Sequence, residues 1–187
     1  MNANGADRDA DAASPVDLRA LIRDIPDFPR AGIVFKDITP LLLDSRGLEA
    51  AVAGLTAFAR PLGVELVLAA EARGFILGGA LARELDAGFV PARKPGRLPS
   101  ETVSVEYILE YGIDALEVHA DALASGTRVL VHDDLLATGG TARGVCDLAA
   151  SLGATIVGCS FLVELSFLGG RARLAPYPVH AVIEYAS

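Results

Sequence analysis

The stretch that most constrains this chain runs from Val129 to Leu152, VLVHDDLLATGGTARGVCDLAASL. Val129, Leu130 and Val131 make a short apolar, β-branched run, the pattern of a buried strand. Asp133 and Asp134 follow at its carboxyl end. The loop Ala137-Thr138-Gly139-Gly140-Thr141 comes next, and then Val145, Leu148, Ala149 and Leu152 recur at helical spacing as one apolar stripe. Strand, acidic pair, glycine-threonine loop and helix succeed one another without a gap.

Each part has a chemical use. A loop entering a helix presents unpaired backbone N–H groups and the positive end of the helix dipole, which together suit a phosphate. Gly139 and Gly140 allow close approach and positive φ. The Thr138 and Thr141 hydroxyls can donate further hydrogen bonds. The Asp133–Asp134 pair can accept hydrogen bonds from sugar hydroxyls or hold a hydrated Mg²⁺. Phosphate on one side and a diol on the other describe a ribose 5-phosphate. Alone, an Asp-Asp pair reads as a solvated loop and a Gly-Gly as a turn; their order is what gives them meaning. The loop has neither the G-x-x-x-x-G-K-[ST] nor the G-x-G-x-x-G spacing. Its DDLLATGGT wording resembles the 5-phosphoribosyl 1-pyrophosphate (PRPP) signature of the type I phosphoribosyltransferases, that of the adenine phosphoribosyltransferases in particular.

Composition narrows the class. At 187 residues the chain can build one α/β domain with a full core. It is 52% hydrophobic, yet no run approaches the ~20 apolar residues of a membrane span. The opening MNANGADRDADAAS is polar and acidic, unlike a signal or transit peptide, so a soluble, cytoplasmic chain is expected. Residues 1–13 read as a disordered tail and 14–187 as a single domain. A net charge of −8 argues against general nucleic-acid binding. Of the two cysteines, Cys146 lies beside the helical stripe and Cys159 in a strand-like run, and both read as buried thiols without metal spacing. The three histidines are scattered and form no ligand cluster.

From the N-terminus, Ser14-Pro15-Val16-Asp17 predicts a helix start, with Leu18, Leu21, Ile22 and Ile25 as its stripe and Pro26 as its end. Residues 27–40, DFPRAGIVFKDITP, hold an apolar, strand-like core between prolines. They read either as an edge strand packed on the domain or as a cover over a nucleobase, with Phe35 as the stacking ring. Leu48, Ala51, Val52, Leu55 and Ala59 form a further helical stripe. A strand over Val64–Ala70, a turn at Glu71-Ala72-Arg73-Gly74, a helix over Phe75–Leu85 and a strand over Gly88–Ala92 make a βαβ unit with parallel pairing and a right-handed crossover.

Sites in open α/β sheets gather outside the carboxyl ends of the strands. Glu71 to Gly74, Arg93-Lys94 and Asp133-Asp134 all lie at such ends. Arg73, Arg93, Lys94 and Arg97 bring cations to neighbouring strand ends, in a chain with only 16 Lys and Arg, which suits a polyphosphate better than a solvated loop. Ser100–Leu109 alternates, Glu110–Asp114 reads as a turn and Leu116–His119 as a second strand, a β-hairpin or flap outside the βα rhythm. On their own, Glu110 and Tyr111 at its tip read as ordinary exposed residues. Thr155–Leu165 predicts a strand buried on both faces, and Val179–Tyr185 a final strand at the sheet edge. The fold expected is α/β: an open, mainly parallel twisted sheet flanked by helices, with a small hood near 26–40 and a hairpin flap near 98–120.

The resemblance extends from about Ile25 to Tyr185. The run from Phe28 to Pro40 is similar to the hood of the adenine phosphoribosyltransferases. RKPGRLP, Arg93 to Pro99, is similar to their pyrophosphate segment, with Arg97 where they usually have Lys. LEYG and LEVH are similar to their catalytic flap, and the fold expected is theirs. The resemblance implies a purine-salvage enzyme that transfers phosphoribose from PRPP to adenine, giving AMP and pyrophosphate. It implies Ala137, Thr138, Gly139, Gly140 and Thr141 for the 5′-phosphate, and Asp133 and Asp134 for the ribose. Glu71, Ala72, Arg73, Arg93, Lys94 and Arg97 fall to pyrophosphate, on a turn that often carries a strained or cis peptide. For adenine it implies the main chain at Val34 and Lys36, with Phe35 and Leu165 on opposite faces of the ring. Glu110 would manage the purine proton, Tyr111 cover the site and Arg73 serve catalysis. Mg²⁺ is implied as cofactor, held mainly by PRPP with a water-mediated link to Asp133 and Asp134. A homodimer is implied, with no nucleic-acid or membrane partner.

One departure is His132, where the family has an aliphatic residue; if buried, it should be neutral and hydrogen-bonded. Two other readings fit the same loop. One is a phosphoribosyltransferase for hypoxanthine, xanthine or orotate, although the 6-oxopurine enzymes should place a lysine at O6. The other is a PRPP-sensing regulator without chemistry, which would carry an N-terminal DNA-binding domain that the short acidic tail cannot form.

Overall fold

Residues 15–109 and 112–187 are described by the structure, a computed structural model, without the side chains of 108, 109, 112 and 113. The chain divides into two compact units, Met1–Gly47 and Leu48–Ser187. The tail expected to be disordered and the helix cap expected at Ser14 lie outside the described residues, as do Glu110 and Tyr111.

In the first unit, two short elements replace the helix expected over residues 14–26. Asp17 caps a single 3₁₀ turn, Leu18–Leu21, accepting from the N–H groups of Arg19 at 3.0 Å and Ala20 at 3.4 Å. The chain then extends into β1 (Arg23–Pro26), which pairs antiparallel with β2 (Val34–Asp37) and sets Ile25 opposite Phe35. The apolar spacing imitated a helical stripe over too few residues to sustain one. Pro26 biases Ile25 toward extended backbone, and β2 supplies the partner. The Asp37 carboxylate closes the ribbon, accepting from Arg23 Nη2 at 2.6 Å and from the Thr39 hydroxyl at 2.6 Å and N–H at 2.9 Å. These bonds, Thr39's first, hold its carboxyl down at about 2. Helix α1 (Thr39–Leu43) buries Leu41, and α2 (Ser45–Ala59) crosses into the second unit.

The second unit is built on β3 (Leu66–Ala70), β4 (Gly88–Ala92), β7 (Arg128–Leu136), β8 (Thr155–Leu165) and β9 (Val179–Tyr185). They form a five-stranded sheet in the order β4-β3-β7-β8-β9, every neighbouring pair parallel, with β9 at one edge as expected. Parallel neighbours need crossovers, supplied by α3 (Gly74–Glu84) between β3 and β4 and α4 (Gly140–Ser151) between β7 and β8. From Leu48 onward α2 covers one face together with α3: Gly54 meets Val182, Phe58 stacks on His180, and Gly78 lies against Ala69 and His132. On the other face Leu68, Val131, Cys159 and Phe161 bury with Val145 and Leu148 of α4. Cover on both faces is why these strands are apolar runs rather than alternating ones.

Two boundaries differ from the sequence reading. β7 continues through the acidic pair to Leu136, because β8 keeps pairing with it: Asp133 opposite Phe161, Leu136 opposite Glu164. The antiparallel hairpin of β5 (Thr102–Leu109) and β6 (Gly112–His119) also runs further toward its tip, pairing Tyr107 with Asp114, a residue expected in the turn. A Cβ on Gly144 would stand 2.9 Å from the Tyr107 ring, so α4 lies directly against β5. After β8, a 3₁₀ turn (Ser166–Leu168) leads into the short α5 (Gly170–Arg173). Among the described residues no helix is long and apolar enough to cross a membrane.

Candidate active site

The end of β7, the loop after it and the start of α4 enclose a pocket of about 220 Å³ lined by residues 133–142 and Arg73. At about 30 Å³ per water, that is room for a sugar phosphate. Gly139 takes φ +80° at the N-cap of α4, and no side chain caps the helix, so its first N–H groups stay available to a ligand. A Cβ at Gly139 would come within 2.6 Å of the Gly170 carbonyl oxygen. The loop is thus seated on the segment that follows β8, and only glycine fits there. Ala137, Thr138, Gly139, Gly140 and Thr141 all line this pocket.

Asp133 and Asp134 line the same pocket but differ in environment. Asp134 is buried, and its Oδ2 accepts from Arg73 Nε at 2.5 Å. Asp133 is half-buried; its Oδ1 accepts the Asp134 N–H at 2.8 Å and would lie 2.9 Å from a Cβ on Gly74. Burial first, and then the Asp134 carboxylate, push the Asp133 carboxyl well above the usual range. Behind them His132 is fully buried with Nδ1 3.0 Å from Ser160 Oγ, and burial pushes its pKa down to about 4. It is the neutral, hydrogen-bonded core histidine expected of a buried imidazole.

The turn 71–74 lies between β3 and α3, and its Glu71–Ala72 peptide is cis. Glu71 organises the cations beside it. Its carboxylate accepts from Arg93 Nε at 3.1 Å and Nη2 at 3.3 Å, and from the Lys94 N–H at 3.0 Å. Arg93 chiefly, then Lys94, hold the Glu71 carboxyl below its ordinary value. Arg93 Nη1 also donates to the Arg97 carbonyl at 3.2 Å, and Lys94 Nζ meets Asp114 Oδ2 at 2.5 Å.

Sequence reasoning missed two carboxylates here. Glu117 is buried and accepts from the N–H groups of Gly96 at 3.0 Å and Leu98 at 3.4 Å and from the Thr102 hydroxyl at 3.2 Å, shaping the loop that carries Arg97. The LEVH motif held the signal, but its glutamate went unused. Asp114 was read as a turn residue.

The residues expected at a base fall in both units: Val34, Phe35 and Lys36 in the first, Leu165 in the second. Phe35 meets Phe28 edge-on at 5.2 Å, Lys36 Nζ pairs with Asp24 at 2.7 Å, and Val34 is exposed. Leu165 ends β8, half-buried. The flap-tip pair Glu110 and Tyr111 lies outside the described residues. Cys146 and Cys159 are buried free thiols with sulfurs 3.6 Å apart.

The family described as "Phosphoribosyl transferase domain" matches residues 42–176. An adenine phosphoribosyltransferase of Rubrobacter xylanophilus is 56% identical over 169 residues, 90% of this chain and 91% of that protein. The crystal structure of adenine phosphoribosyltransferase from Thermoanaerobacter pseudethanolicus aligns with a TM-score of 0.88 at 48% identity, covering 90% of this chain and 98% of that one. The APRTase of Giardia lamblia complexed with 9-deazaadenine aligns with a TM-score of 0.87 at 36% identity, covering 91% and 97%. With the same fold, a glycine-threonine loop between β7 and α4 and this level of identity along the chain, it belongs to the phosphoribosyl transferase domain family, among the adenine phosphoribosyltransferases.

Proposed function

We propose that this chain transfers the phosphoribosyl group of PRPP to adenine, giving AMP and pyrophosphate, in the cytoplasm and as a homodimer. The observation that carries the reading is the convergence of an uncapped helix N-terminus, a carboxylate pair and Arg73 in one pocket at the carboxyl ends of parallel strands. In the transfer, the bond from C1′ to the pyrophosphate oxygen breaks, and its electron pair leaves with pyrophosphate. The bond from C1′ to adenine N9 forms, and the N9 proton departs. Charge develops on the sugar ring and on the leaving group, so the site must stabilise a cation and a polyanion side by side.

The residues divide that work. Ala137, Thr138, Gly139, Gly140 and Thr141 hold the 5′-phosphate through N–H and hydroxyl donors. Asp133 and Asp134 accept from the ribose hydroxyls, and their negative charge favours the cationic ring. Arg73, Lys94 and Arg97 face the leaving pyrophosphate, with Glu71, Ala72 and Arg93 shaping that side of the site. In the first unit the main chain at Val34 and Lys36 is assigned to the adenine edge and Phe35 to stacking; in the second unit Leu165 is assigned to the base. Glu110 takes the purine proton, and Tyr111 excludes water from the reacting ring.

The donor set suits a magnesium ion that arrives with its substrate. Among the described residues no group of three or more metal-ligating side chains forms a cage. The Asp133–Asp134 pair offers the one or two carboxylates that Mg²⁺ uses when waters and substrate phosphates complete its shell. When bound, Mg²⁺ supplies charge neutralisation for the leaving pyrophosphate.

The test is purified protein with PRPP, magnesium chloride and adenine, following AMP, with hypoxanthine, guanine and orotate in parallel. AMP formation from adenine alone is the expected result. Turnover of another base would overturn the adenine reading, and PRPP binding without any turnover would overturn the reaction. Sedimentation of the purified chain tests the dimer.

A further inference from the structure

Three cations on the pyrophosphate side each face a carboxylate, and the three pairs are built differently. Arg93 is held by a two-pronged contact to Glu71, whose carboxylate also accepts the Lys94 N–H. Arg73 meets Asp134, a carboxylate only 6% exposed. Lys94 meets Asp114 through a single contact at 2.5 Å, with the two side chains 51% and 25% exposed. An ammonium is a compact point charge on a flexible stem and moves between partners more readily than a forked guanidinium. The Lys94–Asp114 link is therefore the one of the three that an incoming polyanion can exchange.

Asp114 also has somewhere to go. Its Oδ1 accepts the Ala115 N–H at 2.9 Å. Tyr107 faces Asp114 across the hairpin, and its ring lies against α4 at Gly144. Helix α4 begins in the loop assigned to the 5′-phosphate, so the series Lys94–Asp114–Tyr107–α4 runs along the base of the flap from one phosphate subsite toward the other.

We propose that Asp114 is a positioning residue acting through Lys94: in the PRPP-free chain it holds the Lys94 ammonium in place of pyrophosphate and ties the second flap strand to that side of the site, and the pyrophosphate group displaces it. The inference rests on the assignment of Lys94 to pyrophosphate. It makes Asp114 a competitor for the site, so removing its charge should strengthen pyrophosphate binding, whereas a residue that merely orients Lys94 would weaken it on removal.

The test is isothermal titration of the full chain with pyrophosphate in excess magnesium chloride, for wild type, Asp114→Asn, Lys94→Gln and the double variant. Asp114→Asn keeps the shape and an oxygen for the Ala115 N–H. It should bind pyrophosphate about threefold to fivefold more tightly, the scale of an exposed ion pair, and lower KM for PRPP with KM for adenine unchanged. In the Lys94→Gln background the same change should have no effect. Asp114→Ser tests the same direction if the Asn variant does not fold. Unchanged or weaker binding in the Asp114 variants, with Lys94→Gln still weakening pyrophosphate, overturns the inference and leaves the site reading intact. Unchanged binding in Lys94→Gln overturns the assignment of Lys94, and the inference with it.

Discussion

His132 lies between the sheet and α3, neutral because burial opposes its charge. A histidine whose pKa is depressed in the folded state contributes stability that is present above its unfolded value and lost as pH falls through the folded one. For His132 that window runs from 6.5 down to about 4. At 1.36 kcal/mol per unit, the shift corresponds to about 3 kcal/mol. Urea midpoints taken between pH 7 and 4 should show this loss in wild type, and His132→Val should flatten the slope by about one proton over the same range. An unchanged slope would remove His132 as its source. Asp133 works in the opposite sense: its carboxyl is raised, so its contribution to stability is present at low pH and lost as pH rises through the folded value. For catalysis, exchanging both Asp133 and Asp134 for Asn should lower kcat/KM about a hundredfold, on the scale of losing an electrostatic stabiliser. Unchanged AMP formation in that double variant would defeat their assignment to the ribosyl cation.

Among the elements, the loop proposed to hold the 5′-phosphate depends on a neighbour far away in sequence. Gly139 sits against the carbonyl of Gly170, and α5 is anchored by Arg171, which donates to both oxygens of Glu164 and to the Val179 carbonyl at 2.6 Å. Glu164 is 1% exposed, so removing its partner leaves a buried charge. Arg171→Met should therefore cost about 3 kcal/mol of stability, the lower end for a broken buried pair because the arginine itself is half exposed. Denaturant titration measures it, and a loss below about 1 kcal/mol would show that the pair is solvated instead. Gly139→Ala combines a positive φ with a steric clash. It should raise KM for PRPP about tenfold or more while leaving KM for adenine near wild type, because a shifted loop mispositions phosphate donors worth 1.5–3 kcal/mol or so apiece. Equal changes in both constants would mean general damage rather than loss of the phosphate seat.

At the scale of the whole chain, what could be read in advance was local order. β8, the βαβ unit and the strand-loop-helix at Val129–Leu152 are contiguous, and their apolar runs and glycines specify them within a dozen residues or so. Contacts across the sheet were not legible in this way. Arg73 reaches Asp134 across 61 residues and Arg93 reaches Glu71 across 22, partners set by β3 lying between β4 and β7. The motifs named the cations but could not say that carboxylates already accompany them. The helix expected before Pro26 failed for the same reason, since its alternative was a strand partner further along the chain, Phe35 for Ile25 and Val34 for Pro26, ten and eight positions away. This arrangement has a consequence for a chain of net charge −8. The glycine-threonine loop, the Asp133–Asp134 pair and all the cations assigned to pyrophosphate belong to the Leu48–Ser187 unit, so on the proposed assignment PRPP would bind only when that unit is folded. A ligand that binds only the folded state adds about 2.7 kcal/mol at a hundred times its Kd. For a unit of this size, at about 2–4 °C per kcal/mol, that is a rise in Tm of about 5–10 °C. Calorimetric scans with magnesium chloride and saturating PRPP should show the rise, and Lys94→Gln should reduce it. A transition that PRPP does not move would mean that the pocket at the end of β7 is not where the donor substrate binds.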